Sequence, residues 1–104
     1  MHKEILEEIG LSPNEAKIYE GLLEIGEAGV PDIAVKIGVH KRNIYDIMPK
    51  LLKKGLIYQI ADSKENKYAP LAPSKLSDLI WEKEAKLKSI LPALTKQFKK
   101  TSSG

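Results

Sequence analysis

Apolar residues recur along this chain at helical spacing in five stretches and give way once, between Leu56 and Leu71, to two short extended runs. The first helical stretch, His2 to Ile9, carries Ile5, Leu6 and Ile9 on one side and ends at Gly10. Ser12-Pro13-Asn14-Glu15 then predicts a helix start, with Ser12 as N-cap, Pro13 at the first helical position and Glu15 closing a capping box. Ala16, Ile18, Tyr19, Leu22, Leu23 and Ile25 follow at helical spacing, and Gly26 stops the run. Gly29-Val30 is read as a short strand, and Pro31 opens a helix that reaches Ile37. The next helix starts near Lys41, turns Ile44, Ile47, Met48 and Leu51 inward, and is closed by Gly55. Leu56–Ala61 and Lys67–Leu71 predict a hairpin whose polar tip is Asp62-Ser63-Lys64-Glu65-Asn66. From Ser74, placed to cap after Pro73, a last helix runs to about Lys100, with Lys83 interrupting its apolar stripe. Pro92 should kink or divide that helix by removing a backbone donor.

Pro31 to Leu56 is the most informative segment. Ala34 is small enough for close approach of a second helix, Gly38 takes a left-handed turn without a Cβ penalty, and Ile33, Ile37, Val39, Ile44 and Ile47 sit where two steeply crossing helices need apolar contacts. That is the pattern of a helix-turn-helix, and the hairpin after KKGLI supplies a wing. The fold class expected is mainly α with a small β-hairpin: a winged helix-turn-helix followed by a long C-terminal helix. A helix with one side buried in this way leaves the other free to enter a DNA major groove.

Composition sharpens the reading. A chain of 104 residues with 42% apolar content makes one domain with room for a projecting helix. With no cysteine there are no disulfides, thiolate chemistry or zinc fingers. No apolar run approaches the ~20 residues of a membrane span, so a cytoplasmic location and no membrane partner are the expectation. The net charge of +3 conceals segregation. Residues 1–28 hold two lysines against seven glutamates, whereas residues 29–70 hold eight basic residues against four acids and residues 71–104 hold seven lysines against three acids. The basic reading unit is therefore set off from an acidic first third, as phosphate recognition requires.

Arg42 leads the candidate DNA contacts. It lies in the first turns of the reading helix, and its fork suits bidentate contact with guanine; the plainer alternative is a surface ion pair with Asp46, which also fits a role in holding Arg42 for reading. His40, Lys41 and Asn43 surround the helix N-terminus, where free N–H groups and the dipole favour phosphate; for His40 the alternative is a residue that merely leads into the helix. At about 100° per residue, Arg42, Tyr45, Asp46, Pro49 and Lys53 share the outer face. Tyr45 sits at the edge of the inner stripe, so packing and phosphate contact are both open. Lys50, Lys53 and Lys54 are assigned to backbone phosphates, against a solvated lysine cluster. Lys64 and Lys67 on the wing are assigned to an adjacent groove or its flanking phosphates, against ordinary hairpin surface. A metal role is not expected with only two histidines, His2 and His40. Glu7-Glu8 reads as a solvated face, and no Gly-rich phosphate loop, HExxH or activated nucleophile is present, so neither an enzyme nor a cofactor is expected.

The residues Gly10-Leu11-Ser12-Pro13-Asn14-Glu15-Ala16-Lys17-Ile18-Tyr19, Ile33-Ala34, Gly38-Val39, Asn43-Ile44-Tyr45-Asp46, Leu51, Lys54-Gly55-Leu56-Ile57 and Lys67-Tyr68, ending near Pro73, resemble the N-terminal winged-helix domain of the archaeal TrmB-type transcriptional regulators. The resemblance implies a dimer on a pseudo-palindromic operator. It also implies that this chain is a stand-alone short member or the DNA-binding part of a longer protein, and no sugar-binding role is carried over. Pro49 departs from the family pattern; a helix interior pays ~3 kcal/mol or more for proline unless it bends, so a bend after Tyr45 that relocates Lys53 is expected.

The domain limits expected are 1–72 for the winged helix-turn-helix, 73–100 for a dimerisation helix kinked near Pro92, and 101–104 for a flexible tail. Leu76, Leu79, Ile80, Leu87, Ile90, Leu91, Leu94 and Phe98 form a stripe too long for the small domain to bury, which assigns it to pairing with a second copy. The function expected is that of a homodimeric, sequence-specific regulator on double-stranded DNA. The competing reading is a winged-helix module that binds another protein. No effector is identifiable.

Overall fold

The capping box predicted at Ser12 is present: the Ser12 hydroxyl accepts from the Glu15 amide at 3.1 Å, and Glu15 Oε1 accepts from the Ser12 amide at 2.7 Å. In the computed structural model, which describes residues 2–61, 64 and 66–102, it starts α2 (Pro13–Ile25), preceded by the short α1 (Lys3–Glu8). A two-residue strand β1 (Ala28–Gly29) leads directly into α3 (Val30–Ile37), then come α4 (Lys41–Lys53), β2 (Ile57–Ile60) and β3 (Lys67–Pro70). A 3-10 turn at Pro73–Lys75 leads into α5 (Leu76–Ser102). The three strands form one antiparallel sheet in the order β1-β3-β2, with Ala28 opposite Tyr68 and Gln59 opposite Tyr68 from the other side. This is the winged helix-turn-helix architecture expected, with the small strand beside the wing at Ala28–Gly29 instead of Gly29-Val30, and Val30 already the first residue of α3.

The core is built from one face of each helix. Leu6, Ile18, Tyr19, Leu22, Ile33, Ile44, Met48, Leu51, Leu56 and Leu79 are buried together, so all five helices close on a single apolar centre. Each such side chain taken out of water contributes ~1.5–3 kcal/mol. Gly38 closes α3 in the left-handed conformation (φ 68°, ψ 33°), the turn that sets α4 across α3. Tyr19 is buried with its hydroxyl donating to the Leu71 carbonyl at 2.9 Å, which ties α2 to the end of the wing. Burial raises the Tyr19 phenol above its ordinary pKa.

Several expectations are corrected. Ile5 is 64% exposed, and Leu23 and Ile25 are exposed as well, so the apolar residues of α1 and α2 only partly face the core. The last helix begins at Leu76 after a 3-10 turn, rather than at Ser74. It continues through Pro92 without dividing and takes in Thr101 and Ser102, expected from the sequence to lie in a tail. Ser103 and Gly104 of that tail, and Asp62, Ser63 and Glu65 of the wing tip, lie outside the described residues. From Ile80 onward α5 projects from the body, which gives the molecule extents of 65 × 26 × 23 Å.

Candidate nucleic-acid interface

Helix α4 is amphipathic for a physical reason visible in its sequence. Ile44, Met48 and Leu51 recur at four- and three-residue steps and are buried, with Ile47 and Leu52 packed against the same centre. Lys41, Arg42, Asn43, Tyr45, Asp46, Lys50 and Lys53 are left exposed. The helix runs unbroken through Pro49, an exposed residue that deprives the Tyr45 carbonyl of its helical donor.

His40 is the N-cap of α4: its Nδ1 accepts from the Arg42 amide at 3.2 Å. The residue expected either to bind phosphate or simply to lead into the helix thus has a structural task, and that task requires Nδ1 to be unprotonated. Among the described residues the Arg42 side chain has no ion-pair or hydrogen-bond partner, so the Arg42–Asp46 pair does not form and the guanidinium is free at the exposed N-terminal turn. Tyr45 is 55% exposed and lines one cleft with Pro31, Asp32 and Asn66, so α4 and the root of the wing border a common concavity. A second cleft, between Pro31, Ala34, Val35, Val39, His40 and Lys41, lies at the start of α4. Lys64 is exposed on the wing, and Lys67 is half-buried in β3 beside Ile60 and Gly29.

Lys54 is placed differently from its neighbours. Its ammonium donates to Glu15 Oε1 at 2.7 Å and to the Gly10 carbonyl at 3.0 Å, turned into the body and away from the exposed face of α4. Glu15 is 3% exposed, and among the described residues its Oε2 has no hydrogen-bond partner. Burial by itself raises the Glu15 pKa, but the Lys54 hydrogen bond, the Ser12 amide and the Lys54 charge outweigh it, and the carboxyl ends below its ordinary value. The clamp joins the start of α2 to the end of α4. The sequence marks Glu15 only as a capping residue, because a partner 39 positions away leaves no local signal. Two further exposures escaped the pattern. Val35 is 86% exposed on α3, opposite the buried Ile33, and Trp81 is 64% exposed on α5. An apolar residue standing outside the inward stripe of a helix-turn-helix is the signal that marks Val35.

Of the assigned pairing residues, Leu79 is buried and Leu76 packs against the core, so these two anchor α5 to its own domain. Ile80, Leu87, Ile90, Leu91, Leu94 and Phe98 remain exposed. No helix among the described residues is long and apolar enough to cross a membrane, and no cluster of histidine and acidic side chains there suits a metal ion.

The comparisons with known proteins agree with this geometry. Residues 6–74 match the family model described as "Sugar-specific transcriptional regulator TrmB". The chain is 30% identical over 77 residues to the HTH-type sugar sensing transcriptional regulator TrmBL1 of Pyrococcus furiosus, covering 74% of this chain and 22% of that protein. Among solved structures it is similar to TrmBL2, described as an archaeal chromatin protein with a novel mode of DNA binding, with a TM-score of 0.78, 27% identity, and coverage of 97% of this chain and 41% of the other. The YusO protein of Bacillus subtilis, at 19% identity and a TM-score of 0.61 over 97% of this chain and 75% of its own, shares the fold. The chain thus spans about a fifth of the curated relative's length. The matched segment runs from the buried Leu6 of α1 to the turn that starts α5 and takes in the whole winged helix-turn-helix, so the chain belongs to the TrmB family of transcriptional regulators.

Proposed function

We propose that this chain binds specific double-stranded DNA as a homodimer on a pseudo-palindromic operator, reading bases with the exposed face of α4. The observation that carries the reading is the free Arg42 guanidinium in the first turn of a helix whose opposite face is buried. Arg42 reads guanine, while Asn43, Tyr45 and Asp46 border the same surface. Lys41, Lys50, Lys53, Lys64 and Lys67 supply phosphate contacts, with the α4 N-terminus adding its dipole. Lys54, engaged with Glu15, is left out of the contact set. The exposed apolar side of α5 supports pairing of two copies, each contributing one recognition helix to half-sites about 34–36 Å apart.

The test is binding to mixed-sequence duplex across a salt titration, with Arg42→Ala and Lys53→Ala beside the parent. Binding that weakens steeply with salt is expected, with a slope about one unit shallower in Lys53→Ala. No binding at low salt would refute the proposal and turn attention to protein partners of the exposed surfaces.

A further inference from the structure

Beyond the anchoring Leu79, the apolar side of α5 is open: Leu87, Ile90, Leu91 and Leu94 are each about half exposed and Phe98 is 68% exposed. At about 100° per residue, Ile80, Glu84, Leu87, Leu91, Leu94 and Phe98 form one seam with steps of four and three, the spacing of a coiled coil. That seam has an internal symmetry. Ile80 and Phe98, Glu84 and Leu94, and Leu87 and Leu91 lie at equal distances on either side of Ser89. We propose that α5 pairs with α5 of a second copy running antiparallel, with the two-fold axis crossing both helices at the level of Ser89. The proposal rests on the homodimer reading above and adds direction and register to it.

Charge selects the antiparallel direction. The first part of α5 carries Asp78, Glu82 and Glu84 with Lys83, while the remainder carries Lys86, Lys88, Lys96, Lys99 and Lys100 and no acid. Paired helices lie about 8–10 Å apart, within roughly one Debye length at physiological salt. Antiparallel pairing lays the acidic segment against the partner's lysine-rich end. Parallel pairing would lay lysine against lysine and acid against acid.

The seam's one polar position makes the same choice. In a parallel pair Glu84 would meet the twin Glu84 inside an otherwise apolar contact, and Lys83 would lie beside Lys88 across the seam. In the antiparallel register Glu84 faces Leu94, and its own Lys88, at 2.7 Å, holds it at the edge. Apolar partners then meet at the remaining levels: Ile80 on Phe98, and Leu87 on Leu91. With a rise of about 1.5 Å per residue, the two Leu79 anchors stand ~30 Å apart along the pair. The two winged-helix bodies then occupy opposite ends, a separation of the order that successive turns of B-DNA demand.

The chain contains no cysteine, which makes oxidative cross-linking a clean test. Ile80→Cys, Phe98→Cys and the double variant are compared on non-reducing gels, with light scattering of the parent at tens of micromolar. Both positions are exposed, so the fold tolerates the changes. Within one helix the two sites are ~27 Å apart, far beyond the about 4.4–6.8 Å that a disulfide spans between Cα atoms, so any bond joins two chains. The expected result is a covalent dimer from the double variant and from a mixture of the two single variants, with each single variant alone staying uncross-linked. Cross-linking of each single variant by itself would establish a parallel pair and overturn the proposal. A dimer by light scattering that no combination cross-links would overturn the register. A monomer by light scattering would instead remove the homodimer reading on which the proposal stands.

Discussion

Replacing Lys54 by Met removes one ammonium and leaves its aliphatic stem largely intact. The Glu15 carboxylate, 3% exposed, then loses its only ion-pair partner among the described residues and keeps the Ser12 amide alone. Breaking a fully buried pair costs about 3–5 kcal/mol because a charge is stranded. Lys54 is 29% exposed, so water screens part of the loss, and about 2–3 kcal/mol is expected here. For a domain of this size, at roughly 4–8 °C per kcal/mol, the melting midpoint falls by on the order of 10–20 °C. Denaturant unfolding measures the difference directly. Adding Glu15→Gln to Lys54→Met should recover part of it, since an amide keeps the capping box and no carboxylate is left to strand. The effect must also vary with pH. Glu15 has a folded pKa below its unfolded value, so the clamp's contribution is present in full above the unfolded pKa and is lost as pH falls through the folded one. The parent and Lys54→Met should therefore converge in stability in acid. A loss below about 0.5 kcal/mol, accompanied by a DNA salt slope about one unit shallower, would refute the clamp and return Lys54 to the phosphate contacts.

Arg42→Ala should leave stability unchanged, weaken operator binding by about 1–3 kcal/mol, and relax preference at one base position in a binding-site selection; uniform weakening across all sequences would show a phosphate contact instead. Tyr19→Phe should cost about 1–2 kcal/mol in denaturant unfolding, because the Leu71 carbonyl loses its donor in a part-buried site. Gly38→Ala should cost about 1–2 kcal/mol, since a Cβ is forced into a left-handed turn where no neighbour stands within 4 Å and only the backbone objects; an unchanged midpoint would mean that the turn relaxes.

The fold was legible where local signals and apolar period agreed. The Ser12–Glu15 box, the Gly38 turn and the Ile44–Met48–Leu51 stripe each fix an element through contacts within a few residues, and each is found as read. What was hidden depends on distant partners. Gly21 lies inside α2, where glycine is a poor choice for a helix. Its reason is that a Cβ there would stand 2.7 Å from Ile37 Cγ2 of α3, a closeness set by packing alone. Likewise Lys54 reads as one of a lysine run until Glu15 and Gly10 are folded against it. The exposure of Ile5 shows the converse limit: helical spacing marks a side that faces the core, but a six-residue helix has room to bury only its central Leu6.

The position of the clamp bears on how α5 and α4 are placed together. Lys54 binds the Gly10 carbonyl, and Gly10 adopts φ 120° where an added Cβ would stand 2.7 Å from Lys83 Nζ of α5. The cleft beside it is lined by Lys50, Lys53, Glu82 and Lys86, so the C-terminal end of α4 borders the first exposed turns of α5. Leu79 completes the contact from within the shared core. Helix α4 is held to α2 at its end by the Lys54–Glu15 ion pair, and along its length by Ile44, Met48 and Leu51 in the core that Leu79 of α5 shares. The direction in which two α5 helices pair would then dictate the placement of both recognition helices. If so, binding-site selection should show substitutions in the α5 seam changing the preferred operator spacing, and Arg42→Ala changing only the base preference.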